Sequence, residues 1–339
     1  MCDAGTSVLL LGEANDIALY RELIRRGISD YLVKPIAPRQ IFDAVAAICI
    51  DPSAPPMGRL LAFVGSRGGA GSSTIAHNVT WQLAKTFQEE VVLIDLDVSF
   101  GTAGLAFNLE SPQGVHTALS DPDRLDEVLL ERFLVEYDDN IRLMMAPASL
   151  EAEDKIYMDA LEKLLDLVRR RASYVVLDLP HRWSPWTQQA LLDADESAIV
   201  TPLDLASLRD TKNIVDRLKQ QRGENAALHI VMNHFGAFKK TELSPKDFET
   251  AIELKAAAVV PHDPGLFGTA SNNGQLLGEV NARHKAVEAI GQLSLAMSGR
   301  QPPKQKKGFF DSLLKARPKI KAKAKPKAEA KPEAKSEAE

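Results

Sequence analysis

Leu60-Leu-Ala-Phe-Val-Gly-Ser-Arg-Gly-Gly-Ala-Gly-Ser-Ser-Thr74 is the stretch whose reading decides the fold. An apolar strand runs into a glycine-rich turn, and helix-forming sequence opens at about Ser72. Gly68, Gly69 and Gly71 allow backbone conformations that turn N–H groups inward, where they can meet phosphate oxygens. A helix N-terminus adds favourable partial charge for an anion. Glycine also serves purely steric turns, so the loop is read with its surroundings.

Downstream, Val91-Val-Leu-Ile-Asp95-Leu-Asp97 is a buried-type strand ending in two carboxylates. Ala172-Ser-Tyr-Val-Val-Leu-Asp178-Leu-Pro180 is a second such strand, ending in one. A lone strand-end aspartate is commonly a cap or turn residue. Two such strands following a glycine loop match the needs of a Mg²⁺-nucleotide site, because Mg²⁺ prefers oxygen ligands.

Further runs read as strands at Ile141–Met145, Ser197–Thr201, His229–Met232 and Ala257–Val260. Amphipathic helical stretches alternate with them, the pattern of a parallel sheet with crossover helices. Ligands of such sheets lie beyond the carboxyl ends of the strands.

The composition divides the chain into residues 1–50, a linker at 51–58, a body at 59–300 and a tail at 301–339. The linker, Asp51-Pro-Ser-Ala-Pro-Pro-Met-Gly58, resists helix because its prolines remove donors. Residues 302–339 hold 12 Lys/Arg against 5 Asp/Glu, a net +7, so the rest carries −12 of the total −5. An acidic body counts against a broad nucleic-acid surface. The Lys/Ala/Pro/Glu tail cannot bury enough surface to offset ordering entropy and reads as disordered. Phe309, Phe310, Leu313 and Leu314 share a helix face within 306–317, flanked by basic residues, which suits peripheral contact at the inner face of a membrane or docking on a protein. No run is long and apolar enough for a membrane span. Cys2 and Cys49 lack metal-ligand spacing, and a reducing cytoplasm is the simplest context.

The loop and the Asp95/Asp97 and Asp178 strands resemble the deviant Walker ATPases, which include MinD and the ParA partition proteins. Gly-Gly-Ala-Gly-Ser-Ser-Thr-Ile-Ala-His-Asn-Val, residues 121–132, residues 145–151 and Leu266-Phe-Gly-Thr-Ala-Ser-Asn-Asn-Gly-Gln275 are similar to the CpaE/TadZ branch, associated with tight-adherence (Flp-type) pili. The resemblance spans about residues 59–300. It implies a mostly parallel α/β sheet flanked by helices, ATP and Mg²⁺ as ligands, a homodimer, and pilus or secretion machinery as partners.

Carried over by position, Arg67, Gly68, Gly69, Ala70, Gly71, Ser72, Ser73 and Thr74 form the phosphate loop. Ser73 supplies the hydroxyl ligand to Mg²⁺, and Asp178 holds the ion through water. Asp97 orients the attacking water, with Asp95 beside it. Asn233 is the adenine contact, or alternatively a plain turn residue. The Val260-Pro261-His-Asp263 turn closes over the base.

Ser72 departs from the family, standing where a lysine reaches the β- and γ-phosphates, and Arg67 replaces the signature lysine that crosses the dimer. Loss of the Ser72-position charge removes stabilisation from the transferring phosphoryl group. Arg67 retains a cation suited to phosphate. The expectation is a nucleotide-binding localisation factor with slow or absent hydrolysis. An ATP-hydrolysing MinD/ParA-type positioning or partition ATPase, and a nucleotide-independent pseudo-ATPase scaffold, remain the alternatives.

Residues 1–50 read strand, helix, strand, helix at Val8–Leu11, Ala18–Arg26, Tyr31–Val33 and Pro38–Ile50. They resemble the second half of a response-regulator receiver, with Lys34-Pro35 at its strand end. The acidic pair and acceptor aspartate are missing, so phosphorylation switching is not expected; the segment is a remnant, or its true start lies upstream. His77, Trp81, Trp183 and Trp186 read first as packing residues, although Trp183 and Trp186 fall where relatives carry a switch.

Overall fold

The structure, a computed structural model, describes residues 6–36, 40–41, 44–45, 48, 56–110, 114–120, 124–146, 156–223 and 226–300. Most of the helix expected at Pro38–Ile50, and all of the basic tail with its 306–317 segment, lie outside the described residues.

Near the N-terminus, β1 (Leu9–Gly12), α1 (Ile17–Arg25) and β2 (Asp30–Val33) form a strand–helix–strand unit. β1 and β2 pair in parallel as a two-stranded sheet of their own, with Leu9 opposite Asp30. Lys34 Nζ lies 3.7 Å from Glu13.

The second sheet begins with β3 (Arg59–Gly65), α2 (Ser72–Phe87) and β4 (Val91–Asp95). Short helices α3 (Ala103–Phe107), α4 (Val115–Ser120) and α5 (Glu127–Phe133) follow, then the strands β5 (Val135–Asp138) and β6 (Ile141–Met144). α6 (Met158–Arg171) leads into β7 (Tyr174–Asp178), and α7 (Pro185–Asp193) into β8 (Glu196–Thr201). Next come α8 (Leu205–Arg222), β9 (Leu228–Phe235), α9 (Pro245–Ile252) and β10 (Ala256–Pro261). The body closes with α10 (Pro264–Asn273), α11 (Leu277–Asn281) and α12 (Lys285–Ser298).

The eight strands are ordered β10-β9-β8-β3-β7-β4-β6-β5. All neighbours pair in parallel except β5 with β6, an antiparallel edge hairpin. The expected mostly parallel α/β fold is therefore present. β5 was not among the expected strands: it is four residues long, carries two acids, and follows a helix directly.

Residues along each central strand alternate between two cores, as the two-residue period of a pleated strand requires. Leu60, Ala62 and Val64 of β3 pack with α4 to α9, whereas Leu61 and Phe63 pack with α2, α10 and α12. Covered on both faces, β3 reads as a continuous apolar run rather than an alternating one. α2 packs through Ile75, Val79 and Leu83, each one turn apart and fully buried. Burying a side chain of this kind contributes about 1.5–3 kcal/mol, so this stripe fixes the helix that follows the glycine loop.

The chain leaves β3 toward β4 on one side and reaches β8 on the other only after β7 has been placed between β3 and β4. This reversal at β3 opens a crevice at the carboxyl ends of the strands, where the glycine loop lies.

Candidate nucleotide and metal site

Gly69 and Gly71 have φ of +79° and +85°, the left-handed region that side chains other than glycine rarely adopt. A Cβ on Gly71 would also lie 2.4 Å from Asn233 Nδ2. Gly71 is the N-cap of α2, and Ile75 N makes the first intrahelical bond to its carbonyl. The N–H groups of Ser72, Ser73 and Thr74 thus belong to the first turn, which has no intrahelical acceptor for them. Below the loop, Ser66 is fully buried, and its hydroxyl donates to Thr201 Oγ1 at 3.0 Å. Ala70 is buried too, and its carbonyl accepts from Asn233 Nδ2 at 2.9 Å.

In-register pairing of β4 and β7 sets Asp95 opposite Asp178. Both carboxylates are buried. Ser73 Oγ donates to Asp178 Oδ1 at 3.1 Å, so the two residues expected to serve a metal meet under the loop. Asp95 Oδ1 accepts from Asp97 N and its Oδ2 from Ala103 N, each at 3.1 Å. Burial, and then the charge of Asp178, push the Asp95 carboxyl up to about 7; His77 and the two amides oppose the shift. Asp97 is half-buried, and its Oδ1 accepts from Phe100 N at 3.0 Å.

Arg67 projects outward, its guanidinium 3.4 Å from Asp204, and both side chains are about half exposed. A cavity of about 560 Å³ opens beside the loop, lined by Arg67, Gly68, Gly69, Asp204, His234 and Phe238 among others. A second, of about 800 Å³, is lined by Thr74, His77, Asn78, Phe267, His234 and His262 among others.

The three residues expected at the base are each held by the fold. Asn233 lies within β9, not in a turn after it, and its amide braces the loop. Pro261 ends β10. Asp263 caps α10 by accepting from Leu266 N at 3.0 Å, and its other oxygen meets His284 Nε2 at 3.1 Å. Neither cavity is lined by these three; the adjacent His234 and His262 line both. Their rings stand edge to face, 5.7 Å apart, and burial lowers the pKa of His234.

His77 is the residue whose place the sequence did not reveal. It is 2% exposed, its Nε2 lies 3.3 Å from Asp178 Oδ2, and its ring is edge-on to Phe107. Its four-residue offset from Ser73, one helical turn, was the available signal. Trp186 is buried in α7, consistent with a packing residue, whereas Trp183 is about half exposed.

The arrangement offers a glycine-lined anion cradle on a helix N-terminus with a hydroxyl–carboxylate pair beneath it. The sequence model of the AAA domain family (AAA_31) matches residues 58–230, a little over half of the chain. The septum site-determining protein MinD of Thermotoga maritima is 24% identical over 222 residues, covering 64% of this chain and 80% of that protein. Among solved structures, a ParA family ATPase from Chlorobium tepidum superposes with a TM-score of 0.64 at 22% identity, covering 70% of this chain and 98% of that one. MinD from Pyrococcus horikoshii, solved with Mg-ADP, gives 0.62 at 19% identity, covering 70% and 95%. The chain belongs to the AAA_31 family of AAA domains, and its fold is that of the ParA family and MinD structures.

Proposed function

We propose that this protein is a nucleotide-dependent positioning factor that binds Mg²⁺-ATP at residues 67–74 and hydrolyses it slowly or not at all. The observation that carries the reading is the Ser73–Asp178 contact at 3.1 Å directly beneath the glycine loop. Ser72 Oγ fits the same ligand: it is buried at the loop without a hydrogen-bond partner, as a donor awaiting an oxyanion would be. Ser73 and Asp178 would hold Mg²⁺, which supplies charge neutralisation between the phosphates. Gly68 to Thr74 would cradle the phosphates through backbone N–H groups, and Ser72 would donate one neutral hydrogen bond in place of a lysine charge. Arg67, at the rim of the neighbouring cavity, is the cation available to the phosphates or to a second subunit.

The finer reading is a cytoplasmic homodimer that localises tight-adherence (Flp-type) pilus or secretion machinery. It rests on the branch-like stretches at 121–132, 145–151 and 266–275. Peripheral membrane contact through residues 306–317 belongs to the same reading. An ATP-hydrolysing positioning ATPase is favoured by one observation, the retention of Asp95 and Asp97 at the end of the strand beside Asp178.

Two measurements separate these. A ligand that binds only the folded state raises its stability, by about 2.7 kcal/mol at a hundredfold excess over Kd. Mg²⁺-ATP is therefore expected to raise the melting temperature, and Asp178→Ala to abolish the rise; an unchanged melting temperature would show a nucleotide-independent scaffold. Phosphate release is expected to stay near background, and turnover as fast as a typical MinD relative's would establish the hydrolysing reading instead.

A further inference from the structure

Asp178 presents its two oxygens to different neighbours. Oδ1 receives the Ser73 hydroxyl, while Oδ2 faces His77 Nε2 at 3.3 Å in a geometry that is not a hydrogen bond. Both facing atoms are buried and have no hydrogen-bond partner. Leaving a buried polar atom unsatisfied costs about 1–3 kcal/mol, so a species that engages both would stabilise the fold. Asp95 completes the group: one ligand atom from each of His77, Asp95 and Asp178 lies within 4.8 Å of the others.

The donor set is an imidazole nitrogen with two carboxylates. Such a mixture suits first-row divalent cations of the zinc, cobalt and manganese kind, whereas Mg²⁺ prefers an all-oxygen shell and retains its waters. The surroundings resemble those that orient metal-ligating side chains. Asp95 is fixed by the amides of Asp97 and Ala103, and the His77 ring by the edge contact with Phe107. His77 also lines the 800 Å³ cavity, which supplies a route of approach.

We propose that His77, Asp95 and Asp178 form a binding site for a divalent first-row transition-metal cation, on the opposite side of the Asp178 carboxylate from Ser73. The site fills without nucleotide and shares only Asp178, through its other oxygen, with the Mg²⁺-ATP reading.

The test uses the full chain, stripped with chelator and free of nucleotide, titrated with Co²⁺ and followed by visible absorption and equilibrium dialysis. One Co²⁺ per chain is expected, displaced by Zn²⁺ but not by a large excess of Mg²⁺. His77→Asn is expected to weaken Co²⁺ binding by about tenfold or more, and His116→Asn, at a histidine outside the group, to leave it unchanged. Should His77→Asn fail to fold, NMR of the wild-type imidazoles decides, with the His77 resonances shifted by Co²⁺. Absence of binding, displacement by Mg²⁺, equal binding by His77→Asn or an unperturbed His77 signal would overturn the site. None of these outcomes alters the thermal response to Mg²⁺-ATP, so the two readings fail separately.

Discussion

Two residues near the paired carboxylates show how closely the site is held. Gly101 has no room for a side chain: a Cβ there would lie 2.4 Å from Asp95 Oδ2 and 2.6 Å from Ala146 Cβ. Gly101→Ala must displace a carboxylate held by two backbone amides, at an expected cost of about 1–3 kcal/mol, measurable by urea denaturation. Asp95 itself carries a pH signature. Its carboxyl titrates near 3.8 when unfolded and near 7 when folded, because burial and Asp178 disfavour the charge. Between these values the folded state binds the extra proton, so the contribution of Asp95 to stability falls as pH rises from about 4 to about 7 and is flat above. In chelator, Asp95→Asn should therefore gain stability relative to wild type across that window. A stability difference that does not change with pH would show that Asp95 titrates normally.

The elements around the loop depend on capping and edge pairing as much as on apolar burial. Asp204 caps α8, its Oδ1 accepting from Ser207 N at 2.9 Å, and also meets Arg67 at 3.4 Å. A cap is worth about 1 kcal/mol, whereas a half-exposed ion pair is worth about 0–1 kcal/mol. Asp204→Ala should thus cost about 1 kcal/mol and Arg67→Ala less than about 0.5 kcal/mol. Equal losses in denaturant titrations would mean that the ion pair, not the cap, holds α8 to the loop. At the sheet's edge, β5 was missed because four residues with two acids have a weak local pattern. Its pairing with β6 and the bond from Tyr137 Oη to Glu279 Oε1 at 2.6 Å hold it in place. Burial and Glu279 raise the phenol's pKa, so it remains a donor.

At the scale of the whole molecule, an acidic body is joined to a basic terminal segment. Among the described residues no helix is long and apolar enough to cross a membrane. Membrane contact of the proposed kind would rest on residues 306–317, whose four apolar side chains and basic flanks give only marginal affinity. The full chain is expected to co-sediment with anionic liposomes, weakly and less so at high salt, because surface charges are screened. Phe309→Ser should reduce the bound fraction, and an unchanged fraction would remove the membrane from the proposed function.

The glycine loop, the strand-end positions of Asp95 and Asp178, and the alternation of apolar strands with helices were legible in the sequence. All are local: a φ that only glycine adopts easily, a run of apolar residues buried on both faces, a carboxylate where the run stops. The strand order was not local, and it alone made Asp95 the neighbour of Asp178, 83 positions further along the chain. The direction of side chains was equally hidden, so Asn233 turned out to brace the loop, and His234 and His262 to line the cavities. For the loop that first marked the fold, sequence determined what its backbone could do. Tertiary structure decided which carboxylates and which imidazole stand beneath it, because only packing of distant strands and a helix sets polar atoms a few ångströms apart in a dry interior.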